Sequence, residues 1–209
     1  LIDNPDILIS QVRAMLSASA ASGRKVRIMV PMVCSPSEMR VVRDIIERER
    51  AELGGEAMVG MMVETPAAAM TVPAFRGISD FISIGSNDLT QYTLAADREN
   101  ELLGNLYSEF HPGVLALMRK AANDARDCGM ETGICGEFAS TPEGALYLAA
   151  MGFDELSMSY GAIPAIKEII RGIRIDEAER LLAKALAMGS AAETRKLARD
   201  FIDQKGLGA

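Results

Sequence analysis

GMMVETPAAA, residues 60–69, and DFISIGSNDLTQ, residues 80–91, decide the fold class of this chain. Each begins with an apolar run of strand length and ends in polar residues, Glu64 in the first and Asn87 with Asp88 in the second. Similar apolar runs alternate along the chain with segments whose apolar residues lie three and four apart. This alternation is typical of β-strands and α-helices that build a parallel sheet.

The apolar runs predict five strands, at residues 26–33, 57–63, 81–84, 132–135 and 155–158. Helices are predicted between and around them, at residues 6–21, 35–53, 67–72, 112–127, 141–151, 161–171, 177–187 and 191–204. No linker-like stretch divides the sequence, so we expect a single domain. Five parallel strands could form an open doubly wound sheet. No glycine-rich phosphate loop follows the first strand, however, which leaves part of an eight-stranded barrel as the alternative.

Composition excludes several classes of function. The 209 residues include 22 Lys and Arg against 29 Asp and Glu, a net charge of −7, which argues against a nucleic-acid surface. The longest apolar runs fall far short of the ~20 residues of a membrane helix, so we expect no membrane insertion. With only three cysteines and no secretory leader, we expect a cytoplasmic protein.

Two carboxylates follow predicted strands, where active sites of α/β proteins lie. If the strands of Glu64 and Asp88 are neighbours, they lie ~4.8 Å apart and both carboxylates can reach one cation. Magnesium fits such a pair, because it takes hard oxygen ligands from one or two carboxylates and from the substrate. The alternative is that Glu64 stabilises a helix N-terminus and that Asp88 is an N-cap.

A thiol and two arginines complete the set of candidates. Cys135 lies between glycines at a strand end, where it could be a nucleophile or a proton donor; Cys34 and Cys128 are expected to be small buried residues. Arg98 and Arg27 could bind an anionic substrate. Alternatively, Arg98 pairs with a neighbouring carboxylate, and Arg27, inside an apolar strand, needs a partner in any case. We expect the single histidine, His111, to be structural.

The motifs together resemble a known family. The stretches are VRIMVPMV (26–33), GMMVETPAAA (60–69), DFISIGSNDLTQYTLAADREN (80–100), HPGVLALM (111–118), TGICGEFAS (132–140) and GFDELSMS (152–159). In order and spacing they resemble the phosphoenolpyruvate-binding barrel of the enzyme I family of the bacterial sugar phosphotransferase system. Pyruvate phosphate dikinase and phosphoenolpyruvate synthase share the ETP, GSND or GTND, and CGE elements, but the TQYTLAADR run is more similar to enzyme I.

The resemblance implies a (β/α)₈ TIM barrel, with about five of its eight strands in residues 1–209 as a partial phosphoenolpyruvate-binding domain. It implies that phosphoenolpyruvate binds with Mg²⁺ at the carboxyl ends of the strands. Individual roles also follow from the resemblance: Glu64 and Asp88 as magnesium ligands, Asn87 and the Asp88 backbone as substrate contacts, Arg98 as the phosphate ligand, Cys135 as the proton donor that completes pyruvate, and Arg27 as support for the anion site.

The family's reaction transfers the phosphoryl group to a histidine on a separate N-terminal domain, which passes it to a phosphocarrier protein. The histidine-bearing and carrier-binding domains are expected to lie outside this sequence, so we expect the chain to be inactive alone. The resemblance also implies a homodimer and a role in sugar transport. Two alternatives stay open: a magnesium-dependent lyase of the related pyruvate-handling barrels, and a dimerisation and ligand-binding module without catalysis.

Overall fold

The computed structural model describes residues 4–104 and 106–207. Within these ranges the centre is a sheet of five parallel strands: β1 (Val26–Val30), β2 (Ala57–Val63), β3 (Phe81–Gly85), β4 (Glu131–Cys135) and β5 (Glu155–Ser157). Each strand pairs with the next one in the sequence, in the order β1-β2-β3-β4-β5. A doubly wound sheet reverses its strand order at a switch point, whereas a barrel does not. The sheet therefore confirms the α/β class and matches part of a (β/α)₈ barrel.

Helices occupy the connections and the C-terminal part of the described chain. They are α1 (Pro5–Ser22), α2 (Pro36–Leu53), α3 (Pro66–Met70), α4 (Ser86–Leu94), α5 (Pro112–Asp127), α6 (Pro142–Met151), α7 (Ile163–Gly172), α8 (Ile175–Ala185) and α9 (Ala191–Gln204). Proline begins five of these, α1, α2, α3, α5 and α6, where its missing N–H costs nothing. No helix in the described part of the chain is both long and apolar enough to cross a bilayer.

The helices and one face of the sheet form the hydrophobic core. Alternate strand residues such as Ile28, Met61, Ile82 and Ile134 are buried in the same cluster as the helices. The intervening residues of the edge strands point to the opposite face, where Met29, for example, is 38% exposed. This open face corresponds to the interior of a closed barrel.

The structure differs from the predicted elements at two places that matter for the site. Strand β1 ends at Val30 rather than at residue 33, because Pro31 has no N–H for the ladder and Met32 adopts a left-handed conformation with φ of 54°. Helix α4 follows β3 without a loop and was not predicted, since its first residues Ser86, Asn87 and Asp88 give no apolar periodicity.

Candidate active site

Glu64 occupies the centre of the carboxyl edge of the sheet. It follows β2, whose last residue Val63 pairs with Ile84 of β3, and it is only 5% exposed. Its Oε2 accepts a hydrogen bond of 2.8 Å from the N–H of Met32, the left-handed residue after β1. Its other oxygen lies against Gly85, where an added Cβ would come within 2.7 Å of Oε1. The site therefore requires glycine at position 85.

The charge on Glu64 is influenced by neighbours from other elements. Burial raises the pKa of Glu64, the Met32 N–H lowers it, the negative charge of Asp88 raises it and the positive charge of Arg98 lowers it. The net pKa is above the ordinary value for glutamate. The side chains of Glu64, Asp88 and Arg98 thus lie near one another at this edge of the sheet.

Helix α4 brings Asn87 and Asp88 to this edge. Its N-cap is Gly85, so Asp88 lies in the first helical turn and is not an N-cap. Asp88 faces Arg98, whose Nη1 lies 3.8 Å from the Asp88 Oδ2. Ala95 ends the helix in a left-handed conformation with φ of 50°, and the N–H of Arg98 then bonds to Gln91 on the same helix. Arg98 is therefore paired with a site residue rather than with its sequence neighbours.

Cys135 ends β4, directly beside Gly85 in the strand register. Its thiol lies 3.6 Å from the carbonyl oxygen of Ile84 and donates to it. Burial raises the pKa of Cys135, and the charges of Glu64, Asp88 and Glu137 raise it further, against a smaller lowering by a hydrogen bond with Ser83. The thiol therefore keeps its proton at neutral pH, which favours a proton donor over a thiolate nucleophile.

The donor set is suited to a magnesium ion that shares its coordination with a ligand. In residues 4–104 and 106–207 no group of three or more His, Cys, Asp or Glu side chains forms a metal cage. Glu64 and Asp88 supply two carboxylates, and the negative charge of Asp88 contributes to the raised pKa of Glu64. Mg²⁺ is commonly held by one or two carboxylates together with waters and substrate phosphates. The residues present therefore fit this ion.

Arg27 lies well below Glu64 on the sheet, but it lines a cavity on the open face together with Cys135. Arg27 pairs in register with Met58, six positions before Glu64, which at ~3.3 Å per residue places it about 20 Å lower on the sheet. Its Nη1 bonds to Glu131 at 2.5 Å, and its guanidinium lies 4.1 Å from the ring centroid of Phe81. The expected partner of this strand arginine is thus Glu131, and a substrate contact of Arg27 stays a prediction.

Two expectations about other residues have different outcomes. The His111 side chain accepts the N–H of Gly113 at 3.1 Å and is the N-cap of α5, so its structural role is confirmed. The expectation that Cys34 is buried is wrong: it is exposed, in the loop between β1 and α2. Cys128 is partly buried and packs against the core.

Sequence reasoning missed four residues around the site, namely Met32, Tyr107, Glu109 and Glu137. Glu137 accepts a hydrogen bond from the side-chain amide of Asn87, and Tyr107 donates to the Asn87 carbonyl. Only Glu137 carried a signal, since it stands two positions after Cys135 in the CGE motif. Tyr107 and Glu109 lie in an irregular segment, and Met32 acts through its backbone, which no side-chain pattern reveals.

Comparison with known proteins agrees with this geometry. The family model described as PEP-utilising enzyme, PEP-binding domain, matches residues 1–175. A phosphoenolpyruvate-protein phosphotransferase of Haemophilus influenzae is 41% identical, with 99% of this chain and 37% of that protein covered. One from Buchnera aphidicola is 39% identical, with 97% and 36% covered. A Salmonella typhimurium protein named phosphoenolpyruvate-dependent phosphotransferase system is 36% identical, with 99% and 28% covered.

The chain thus spans about a third of the length of these curated relatives. The family match covers the whole parallel sheet and every candidate site residue, from Arg27 to Cys135. On this evidence the chain belongs to the family of PEP-utilising enzymes and contains its PEP-binding domain.

Proposed function

We propose that this chain is the phosphoenolpyruvate-binding and proton-donating part of a phosphoenolpyruvate-protein phosphotransferase. The observation that carries the proposal is the convergence of Glu64, Asp88, Arg98 and Cys135 at one edge of the sheet, from three consecutive strands and the loop after α4. Residues 1–209 then form one partial barrel domain. The histidine that accepts the phosphoryl group and the surface that binds the phosphocarrier protein lie elsewhere in the parent enzyme.

The substrate is a dianion or trianion, and the site offers it cations and polar groups. The Arg98 guanidinium is half exposed and lies 3.8 Å from Asp88, too far for a closed bidentate pair, so its N–H donors can turn to a phosphate. Asn87 and the backbone of Asp88 contact the substrate beside it. Glu64 and Asp88 would hold Mg²⁺, and the ion would supply electrostatic stabilisation for negative charge on the substrate oxygens.

The reaction proceeds by transfer of the phosphoryl group and then of a proton. The P–O bond to the enol oxygen of phosphoenolpyruvate breaks as a P–N bond to the acceptor histidine forms, which leaves the enolate of pyruvate. The Cys135 thiol then gives its proton to the methylene carbon, and solvent reprotonates the thiolate. A raised pKa suits Cys135 to this step, because the group must carry a proton when the enolate forms.

His111 is not the acceptor in this proposal, because its ring caps α5. A cytoplasmic location, a homodimer, coupling to sugar transport and a phosphocarrier partner come with the proposed parent enzyme and rest on the family resemblance. The names of the relatives support only the phosphotransferase activity.

Calorimetric titration of phosphoenolpyruvate into the 209-residue chain, with and without Mg²⁺, tests the proposal. We expect magnesium-dependent binding that Glu64→Gln with Asp88→Asn abolishes and that Cys135→Ala retains. The matched control, Asp44→Asn with Glu179→Gln, removes two exposed carboxylates on α2 and α8 and should bind as the wild type does. Binding that is unaffected by Mg²⁺ or by loss of Glu64 and Asp88 would refute the proposed site.

A further inference from the structure

A short segment before α5 contacts the beginning of α4 at two adjacent residues. The hydroxyl of Tyr107 donates to the main-chain carbonyl of Asn87 at 3.1 Å. The hydroxyl of Ser86 donates to Oε1 of Glu109 at 2.5 Å. Tyr107 and Glu109 lie 20 and 23 positions after their partners in the sequence. Those partners, Asn87 and Ser86, immediately precede Asp88. The segment thus reaches back to the residues that carry the proposed ligands.

The chain after β4 contacts the same two residues from another direction. Gly136 has φ of 124°, and an added Cβ there would overlap the hydroxyl of Ser86. Glu137 accepts a hydrogen bond from the side-chain amide of Asn87. Ser86 itself is fully buried, so the protein rather than water determines where its hydroxyl points. Residues 86 and 87 are therefore held by two separate segments of the chain.

The protonation of Tyr107 and the burial of Glu109 agree with the hydrogen bonds that these two residues make. Burial, with smaller effects from nearby charges, raises the pKa of Tyr107 to about 12, so the phenol remains a hydrogen-bond donor at neutral pH. The carboxyl of Glu109 is partly buried and is the acceptor that the Ser86 hydroxyl reaches. The Asn87 carbonyl and the Ser86 hydroxyl would otherwise lose a partner in a poorly hydrated place, which is costly.

We propose that Tyr107 and Glu109 are positioning residues, which hold residues 86–88 in the conformation that directs Asn87 and Asp88 toward Glu64 and Arg98. They act through the start of α4 and do not touch the reacting atoms. The use of this conformation for phosphoenolpyruvate rests on the proposed function. The contacts themselves and their effect on the backbone do not depend on the proposed function.

The first test needs no ligand. Amide hydrogen exchange and the side-chain amide resonances of Asn87 are followed by NMR in the 209-residue chain. Tyr107→Phe should accelerate exchange at Leu89 and Thr90 about fivefold, the factor expected for one lost hydrogen bond, and shift the Asn87 resonances. Tyr92→Phe is the matched control, because Tyr92 lies on α4 with Leu89 and Thr90 but is 46% exposed. Unchanged exchange in α5 would show that the variants fold.

The second pair of variants distinguishes positioning from simple packing. Glu109→Ala should accelerate exchange at Leu89 and Thr90 as Tyr107→Phe does. Glu109→Gln should restore the wild-type rate, since its amide oxygen can accept the Ser86 proton at nearly the same place. Exchange rates in Tyr107→Phe and Glu109→Ala equal to those of the wild type would overturn the proposal.

The last measurement is the affinity for phosphoenolpyruvate with Mg²⁺ in the same variants. It should fall about fivefold in Tyr107→Phe and Glu109→Ala and remain unchanged in Tyr92→Phe and Glu109→Gln. If the wild-type chain binds no phosphoenolpyruvate, the proposed function fails, while the exchange rates still decide the positioning role. Faster exchange with unaltered affinity would refute the link between this conformation and the ligand.

Discussion

Replacement of Gly85 by alanine should displace Glu64 and thereby remove the proposed magnesium site. A Cβ at this position would lie 2.7 Å from both Cγ and Oε1 of Glu64. The Cγ is not the free end of a flexible chain, and Glu64 is buried and anchored to the Met32 N–H at 2.8 Å. The carboxylate must therefore rotate away and give up that bond. Such overpacking typically costs about 1–3 kcal/mol.

Gly133→Ala is the matched control for this substitution. Gly133 lies on the same face of the sheet in β4, but a Cβ there would meet the nearest atom, Ser83 Oγ, at 3.6 Å, an ordinary contact. At ~2–4 °C per kcal/mol for a protein of this size, Gly85→Ala should lower the melting temperature by roughly 2–12 °C. Gly133→Ala should leave it unchanged or slightly higher, since alanine reduces the entropy of the unfolded chain.

Differential scanning calorimetry measures the change in melting temperature, and titration with phosphoenolpyruvate and Mg²⁺ measures the change in binding. We expect Gly85→Ala to weaken magnesium-dependent binding by at least about tenfold, the equivalent of ~1.4 kcal/mol, while Gly133→Ala retains it. Equal stability and equal binding in the two variants would refute the argument that Gly85 makes room for Glu64.

Three further predictions concern other parts of the molecule. In the intact parent enzyme, Cys135→Ala should abolish magnesium-dependent exchange of the pyruvate methyl protons in D₂O, followed by NMR, because the donor to the enolate is also the base in the reverse direction. Exchange at the wild-type rate would exclude that role. Glu143→Ala should lower the free energy of unfolding by about 1.5–3 kcal/mol in urea titrations, since the buried carboxylate accepts hydrogen bonds from two arginines of α9. The control Asp176→Ala, at an exposed carboxylate, should have no measurable effect. Burial raises the pKa of Glu143, but the arginine bonds outweigh it and the net pKa is lowered, so this stabilisation should persist above the ordinary glutamate pKa and be lost as the pH falls through the folded-state value. Arg27→Met should weaken phosphoenolpyruvate binding about fivefold, the effect of one lost hydrogen bond, because Arg27 lines a cavity together with Cys135; unchanged binding would exclude Arg27 as a substrate ligand.

The sequence predicted the elements whose signals are local. All five apolar runs form strands, because strands of a parallel sheet that is covered on both faces are apolar at nearly every position. Glu64, Asp88 and Cys135 could be chosen as candidates because each lies within three residues of the end of a strand, and parallel strands present such residues at one edge. Helix α4 was missed because its polar first turn has no apolar repeat.

Local sequence patterns therefore specify the α/β class, the sheet and most of the polar residues at its edge. The partners of those residues depend instead on how distant segments pack together. Three contacts depend on atoms distant in sequence: the bond of the left-handed Met32 to Glu64, the contacts of Tyr107 and Glu109 with α4, and the pairing of Arg27 with Glu131. Such contacts follow from strand register and chain reversals, and no local pattern of residue types encodes those positions in space.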